Sequence, residues 1–224
     1  MEVRPLTPGE WQLKRDLRLS ALKDSPHAFA STWAREAKRG EADWRTWPAG
    51  GAFFTAFGPL PPSRPRVSAP SRAARHDPPA LGTPPGTGDG RHDPPGYVVP
   101  GGRHDPSACV VPLGIGDGRR DLPGCVVPLG IAGAWVAAAD PATTHLISMW
   151  VVPAARGHGI AARLADAVTA WARDHGHDTV ELELACGNTA ALNAYLRCGF
   201  SPAGRKPFTA GGTVLTRPTR RPPA

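Results

Sequence analysis

Apolar and polar positions alternate along the chain with two periods, and together they predict a mixed α/β order. Val3–Leu6 reads as a short strand, and Thr7-Pro8-Gly9-Glu10 has the spacing of a capping box with Pro at the first helical position. Leu6 and Trp11 stand where they would staple the helix entry. Trp11, Leu13, Leu17, Ala21 and Leu22 then form the stripe of a helix running to about Leu22, broken by Ser25-Pro26. A second helical stretch is expected over 31–47, interrupted at Gly40. Ala52–Phe57 and Ile131–Ala138 read as strands, and His145–Val152 is nearly all apolar, as suits a central strand covered on both faces. Ile160, Leu164, Val168 and Trp171 share one face of a helix over 159–175, which Gly176 stops. In Thr179–Ala185 the apolar Val180, Leu182 and Leu184 alternate with Thr179, Glu181 and Glu183. A helix over Thr189–Arg197 and a strand over Thr213–Arg217 complete the order β-α-α-β-β-β-α-β-α-β.

One stretch carries neither period. Arg75-His76-Asp77-Pro78-Pro79 returns at Arg91 and Arg103, with a degenerate copy at Arg119, so the starts lie 16, 12 and 16 residues apart. Unequal spacing excludes a solenoid, whose stacked units need a constant length. Pro and Gly make up 27 of the 69 residues from Gly58 to Val126, a composition expected of low-complexity chain that cannot offset its ordering entropy. Residues 58–126 are therefore expected to be a disordered repetitive insert in the hairpin loop between two strands. His76, His92 and His104 recur because the unit was copied, and no metal site is expected from them. The remainder, 155 residues long, suits a single domain over 1–57 and 127–217, with 218–224 as a flexible tail.

Charge narrows the picture further. The formal net charge is +7, yet residues 1–57 and 127–204 carry 13 basic and 13 acidic residues. The excess sits in the insert and in the tail around Arg217, Arg220 and Arg221, so a nucleic-acid partner is not expected of the folded part. No apolar run has membrane-spanning length, and no membrane partner is expected. Met-Glu-Val-Arg-Pro-Leu at the start lacks a signal pattern. Four Cys without a CxxC pair read as reduced thiols, which suits a cytoplasmic protein.

The candidate chemistry lies in Met149-Trp-Val-Val-Pro-Ala-Ala-Arg-Gly-His-Gly-Ile-Ala161, where an apolar strand enters a Gly-bearing turn that opens a long helix. Such a turn aims backbone N–H groups and the positive end of the helix dipole at one point. Gly157 and Gly159 let main chain approach an anion without a Cβ in the way, and Arg156 adds a charged donor. The inference is a pyrophosphate-binding turn. Neither a Walker lysine nor the GxGxxG spacing is present, which disfavours nucleotide hydrolysis and NAD binding.

Arg156-x-x-Gly159-x-Ala161 resembles the R/Q-x-x-G-x-G/A motif of the GNAT superfamily of acetyl-CoA-dependent N-acetyltransferases. Asn188-Thr-Ala-Ala-Leu-Asn-Ala-Tyr195-Leu-Arg-Cys-Gly199-Phe200 resembles its second signature, N-x-x-A-x-x-x-Y-x-x-x-G-F. The resemblance implies a mixed central sheet whose parallel strands splay apart, flanked by helices. It implies acetyl-CoA as co-substrate, with no metal. Main chain at Met149, Val151 and Val152 would meet the pantetheine arm, and Arg156, Gly157, His158, Gly159, Ile160 and Ala161 the phosphates. Asn188 would reach the pantetheine, although by itself it reads equally as an N-cap. Tyr195, seven residues on and on the same helix face, would protonate the departing thiolate. The first helices would frame the acceptor through Phe29, Trp33 and Glu36.

The implied reaction is direct attack of a primary amine, from a small molecule or a peptide, on the thioester. No base is assigned; Glu36, Glu181 and Glu183 are candidates. The alternative is a catalytically silent acyl-CoA-binding module of the same fold. Family members often form homodimers, and a homodimer is the oligomer the resemblance implies.

Overall fold

The computed structural model describes residues 1–62, 126–207 and 211–220. Among these, seven strands form one sheet in the order β1-β2-β3-β4-β5-β7-β6. The strands are β1 (Glu2–Pro5), β2 (Ala52–Gly58), β3 (Val127–Ala137), β4 (Asp140–Val151), β5 (Thr179–Leu184), β6 (Ser201–Pro202) and β7 (Thr213–Pro218). Helices α1 (Trp11–Asp24), α2 (Trp33–Glu36) and α3 (Glu41–Thr46) fall between β1 and β2; α4 (Ile160–Asp174) and α5 (Thr189–Arg197) flank β5. All pairings are antiparallel except that of β4 with β5. This is the expected mixed α/β architecture.

Neighbouring apolar residues serve opposite faces, which is why the strands read as continuous hydrophobic runs. Phe54, Ala132 and Leu146 pack toward α4 with Leu164, Ala165 and Val168. Phe53, Ile131 and Trp150 pack on the other face with Leu17 and Ala21 of α1. The sheet is thus enclosed between α1 and α4, and the core is continuous with Tyr195 and Phe200 around α5.

The expected hairpin exists: β2 pairs with β3 from Ala52↔Ala134 to Gly58↔Val127. Residues 59–126 therefore join two adjacent antiparallel strands. The structural character expected for the insert lies outside the described residues, its two ends apart, and Gly58 itself belongs to β2.

Three boundaries differ from expectation. β3 begins at Val127 because Pro128 falls at a bulge, where its missing N–H leaves no gap in the ladder. β4 begins at Asp140, since Pro141 precedes the point at which the strand gains its second partner at Thr143. The tail begins later than expected: Pro218 pairs with Thr179, and the Thr219 N–H donates to the Asp178 carbonyl at 3.0 Å. Among the described residues no helix is long and apolar enough to cross a membrane.

Candidate functional site

Two parallel strands separate at the centre of the sheet. β4 and β5 pair only over Thr143↔Thr179, Thr144↔Val180 and His145↔Glu181, after which both continue without pairing. From Leu146 to Val151, β4 keeps β3 on one side and has no strand on the other. The opening is a V-shaped slot edged by main-chain donors and acceptors, as expected.

The slot edge is shaped by a feature that periodicity did not reveal. Ile131 pairs with Trp150 and Gly133 with Ile147, so Ala132 faces both Ser148 and Met149. This bulge puts Ser148 at φ +59°, in the left-handed region that disfavours a side chain with Cβ. The bulge falls at 148–149, within the stretch of β4 that edges the slot. Ser148, the polar residue among apolar Leu146–Val151, was the only sequence signal for it.

After Val151 the chain makes a short turn over Pro153–Ala155 and enters α4 through Gly157 at φ +80° and Gly159 at φ +77°. Gly159 is the N-cap of α4 and brings no side chain to it. The N–H groups of Ile160, Ala161 and Ala162 have no acceptor among the described residues, and a Cβ built on Gly159 meets nothing within 4 Å. Open space therefore faces unpaired donors at the positive end of a 15-residue helix. The donor set and the space fit a phosphate. The His158 ring lies against the carbonyls of Ala155 and Arg156, 3.3 and 3.1 Å away, and braces the turn.

Main chain at Val151 and Val152 is partly taken up. The Val152 N–H donates to the Leu129 carbonyl at 2.9 Å, so it faces β3 and not the slot. The Val151 carbonyl accepts from Arg156 Nε at 3.0 Å. The Arg156 guanidinium also binds Asp24, at the end of α1. Asp24 was not singled out from sequence, yet it joins α1 to the slot. Its Oδ2 accepts from Arg156, from the Trp150 indole at 2.9 Å and from the Ser25 hydroxyl at 2.7 Å. Burial would raise its carboxyl, but these three hydrogen bonds and the Arg156 charge outweigh burial and hold it below the usual carboxylate range.

Asn188 caps α5, accepting the Ala191 N–H at 3.2 Å. Two turns on, Tyr195 is 8% exposed and meets Phe200 edge to face at 5.5 Å. Burial, with a smaller contribution from Cys198, pushes its phenol well above the ordinary value, so it stays protonated. Its hydroxyl has no hydrogen-bond partner among the described residues.

The residues expected on the acceptor side are not equivalent. Trp33 is exposed, with the Lys23 ammonium 4.9 Å from its ring. Phe29 is half-buried beneath the Arg18 guanidinium, 4.6 Å away. Glu36 is only 1% exposed and takes two hydrogen bonds from Arg18, at 3.0 and 2.8 Å. Burial alone would raise its carboxyl, but Arg18 outweighs it and keeps it below the usual range. Glu36 is thus a wall of the fold and not an open base. Glu181 is also buried and held by Arg205.

A cleft of about 310 Å³ opens where these parts meet, lined by residues 24–28 after α1 and 186–188 before α5. It lies at the C-terminal end of β5, beside Asp24 and Asn188.

A splayed sheet with a glycine-bearing strand–turn–helix at its centre places the chain among mixed α/β proteins. The family model described as "Acetyltransferase (GNAT) family" matches residues 96–200, a little under half of the chain. Its fold is similar to that of yncA from Salmonella typhimurium, solved with its cofactor acetyl-CoA, at 12% identity, TM-score 0.54, over 100% of this chain and 96% of that one. The GNAT domain of S. lividans PAT is similar at 12% identity and TM-score 0.54, over 96% of this chain and 89% of that one. Nourseothricin acetyltransferase aligns at 24% identity over 42% of this chain, which spans 59% of that chain, with TM-score 0.37. No curated protein matches the sequence significantly.

Proposed function

We propose that the protein transfers an acetyl group from acetyl-CoA to a primary amine, of a small molecule or a peptide, by direct attack on the thioester. The observation that carries this reading is the continuity of the slot with the turn. A β4 edge with no second strand among the described residues leads to the first turn of α4, where the space beside Gly159 is open: a Cβ there meets nothing within 4 Å. Acetyl-CoA, when bound, supplies an acyl carbon open to attack. The N–H groups of Ile160–Ala162 and the α4 dipole hold its phosphates. The free edge of β4 receives an extended arm as an added strand would be received. Main chain at 148–149, at the bulge on the slot edge, would donate to the thioester carbonyl. Tyr195 retains its proton and is the group to deliver it to a departing sulfur.

A second reading, a silent acyl-CoA-binding module, draws support from Glu36 and Glu181, which are both held in ion pairs. Calorimetry with acetyl-CoA, on the wild type and on Gly159→Trp, tests the site. We expect binding by the wild type and its loss in Gly159→Trp, because the indole fills this open space. Turnover with a panel of amines then separates an enzyme from a silent module. If the wild type does not bind acetyl-CoA, both readings fall.

A further inference from the structure

The cleft beside Asp24 has a sign. Among its lining residues Asp24 is the acid, and no Lys or Arg is present. The Asp24 side chain is 26% exposed, and all three of its donors converge on Oδ2. Oδ1 has no hydrogen-bond partner among the described residues. A carboxylate with one open oxygen, on a cleft where His27 is the one basic side chain of the lining, can receive a donor, and a cation best of all. The charge that now balances it belongs to Arg156, which stands within the phosphate-binding turn. Arg156 is 48% exposed and reaches Asp24 from a different element, and exchanging partners would break this ion pair and its Nε hydrogen bond to the Val151 carbonyl.

We infer that the cleft takes the acceptor as its ammonium, with Asp24 as the anchor, and that Arg156 holds this anchor until donor phosphates draw it away. The inference rests on the acetyl-CoA reading of the turn. Its consequence is coupled binding. With Arg156 on Asp24, a second cation finds the carboxylate already neutralised. With Arg156 on the phosphates, Asp24 regains its full charge and its third hydrogen-bond site. By linkage the amine must then tighten the donor by the same factor. Trp150 and Ser25 remain on Oδ2 in both arrangements, so the anchor keeps its position while its charge balance changes.

The test is calorimetric and needs no turnover. n-Butylamine, charged at pH 7.5, and n-butanol, its uncharged counterpart of similar size, are titrated into the full-length protein with and without saturating CoA. We expect butylammonium to bind the CoA complex about 5- to 150-fold more tightly than the free protein, and butanol to show no such preference. Asp24→Asn should lose amine binding in both states and bind CoA more tightly than the wild type, because Arg156 is then released from its ion pair. Arg156→Gln should bind the amine tightly without CoA, so that the coupling disappears. Thermal melts confirm that each variant is folded, and the wild-type comparison stands without either. CoA binding with no coupling to the amine overturns this inference alone, as does coupling that persists in Arg156→Gln. Absence of CoA binding by the wild type overturns it together with the proposed function.

Discussion

Tyr195 and Asp24 mark the limits of what single residues disclose in sequence. Tyr195 stands seven positions after a capping Asn188, so its helix face was legible from spacing, while the role expected of it came from the resemblance to the family signature. Tyr195→Phe removes a hydroxyl without a protein partner, and the melting temperature should change little. If the hydroxyl delivers the proton, kcat should fall about 10²-fold or more, with acetyl-CoA affinity unchanged; an unaltered kcat would reduce Tyr195 to a packing residue. Asp24 gave no comparable signal, because its partners Trp150 and Arg156 lie 126 and 132 positions away. Only the fold brings them together. Glu36 failed differently: it was legible as a carboxylate on the acceptor side, but Arg18, which encloses it, lies one helix earlier and on a face that the α1 stripe left unremarkable.

At the scale of elements, local chemistry was the better guide wherever the chain supplies its own partners. The start of α1 is an example. Glu10 accepts the Thr7 N–H at 2.9 Å and binds Arg4 at 2.7 Å, closing the back half of the expected capping box. The Arg4 hydrogen bond, more than any other contact, lowers its carboxyl to about 2 from 4.5. A depressed folded-state value stabilises the protein above pH 4.5, and that contribution is lost as the pH falls toward 2. Glu10→Ala should therefore cost about 1–2 kcal/mol at pH 7 and much less near pH 2. Urea titrations at both pH values check this, and an equal cost at both would show that the carboxylate charge is not the source. Elements whose partners are remote were less legible. The early parts of β3 and β4 lie before the expected starts at Ile131 and His145; they contain Pro128, beside the bulge, and Pro141, before β5 arrives at Thr143. Two-residue β6 exists through β7 and has no signal of its own.

For the whole molecule, the pairing of β2 with β3 across 59–126 was the step that mattered, and removing the repeats made it visible. The family match ends at Phe200 and does not reach back to β1, α1–α3 or β2. The elements of that half were read from periodicity, and it was there that side-chain roles were least clear. Replacing 63–125 with an eight-residue Gly-Ser linker tests whether the segment supports the domain. Acetyl-CoA affinity should persist, and stability should hold or rise by up to about 2 kcal/mol as the loop to be closed shortens. Loss of folding would show that 63–125 supplies part of the core.

Gly58 and Val127 are held opposite one another by the β2–β3 ladder, and both faces of that ladder are sealed, by α1 on one side and α4 on the other. Covalent continuity at this point is thus a convenience of synthesis. A gene divided here into two reading frames would yield two polypeptides, one ending just after β2 and the other starting just before β3, with complementary edges and a shared core to reunite them.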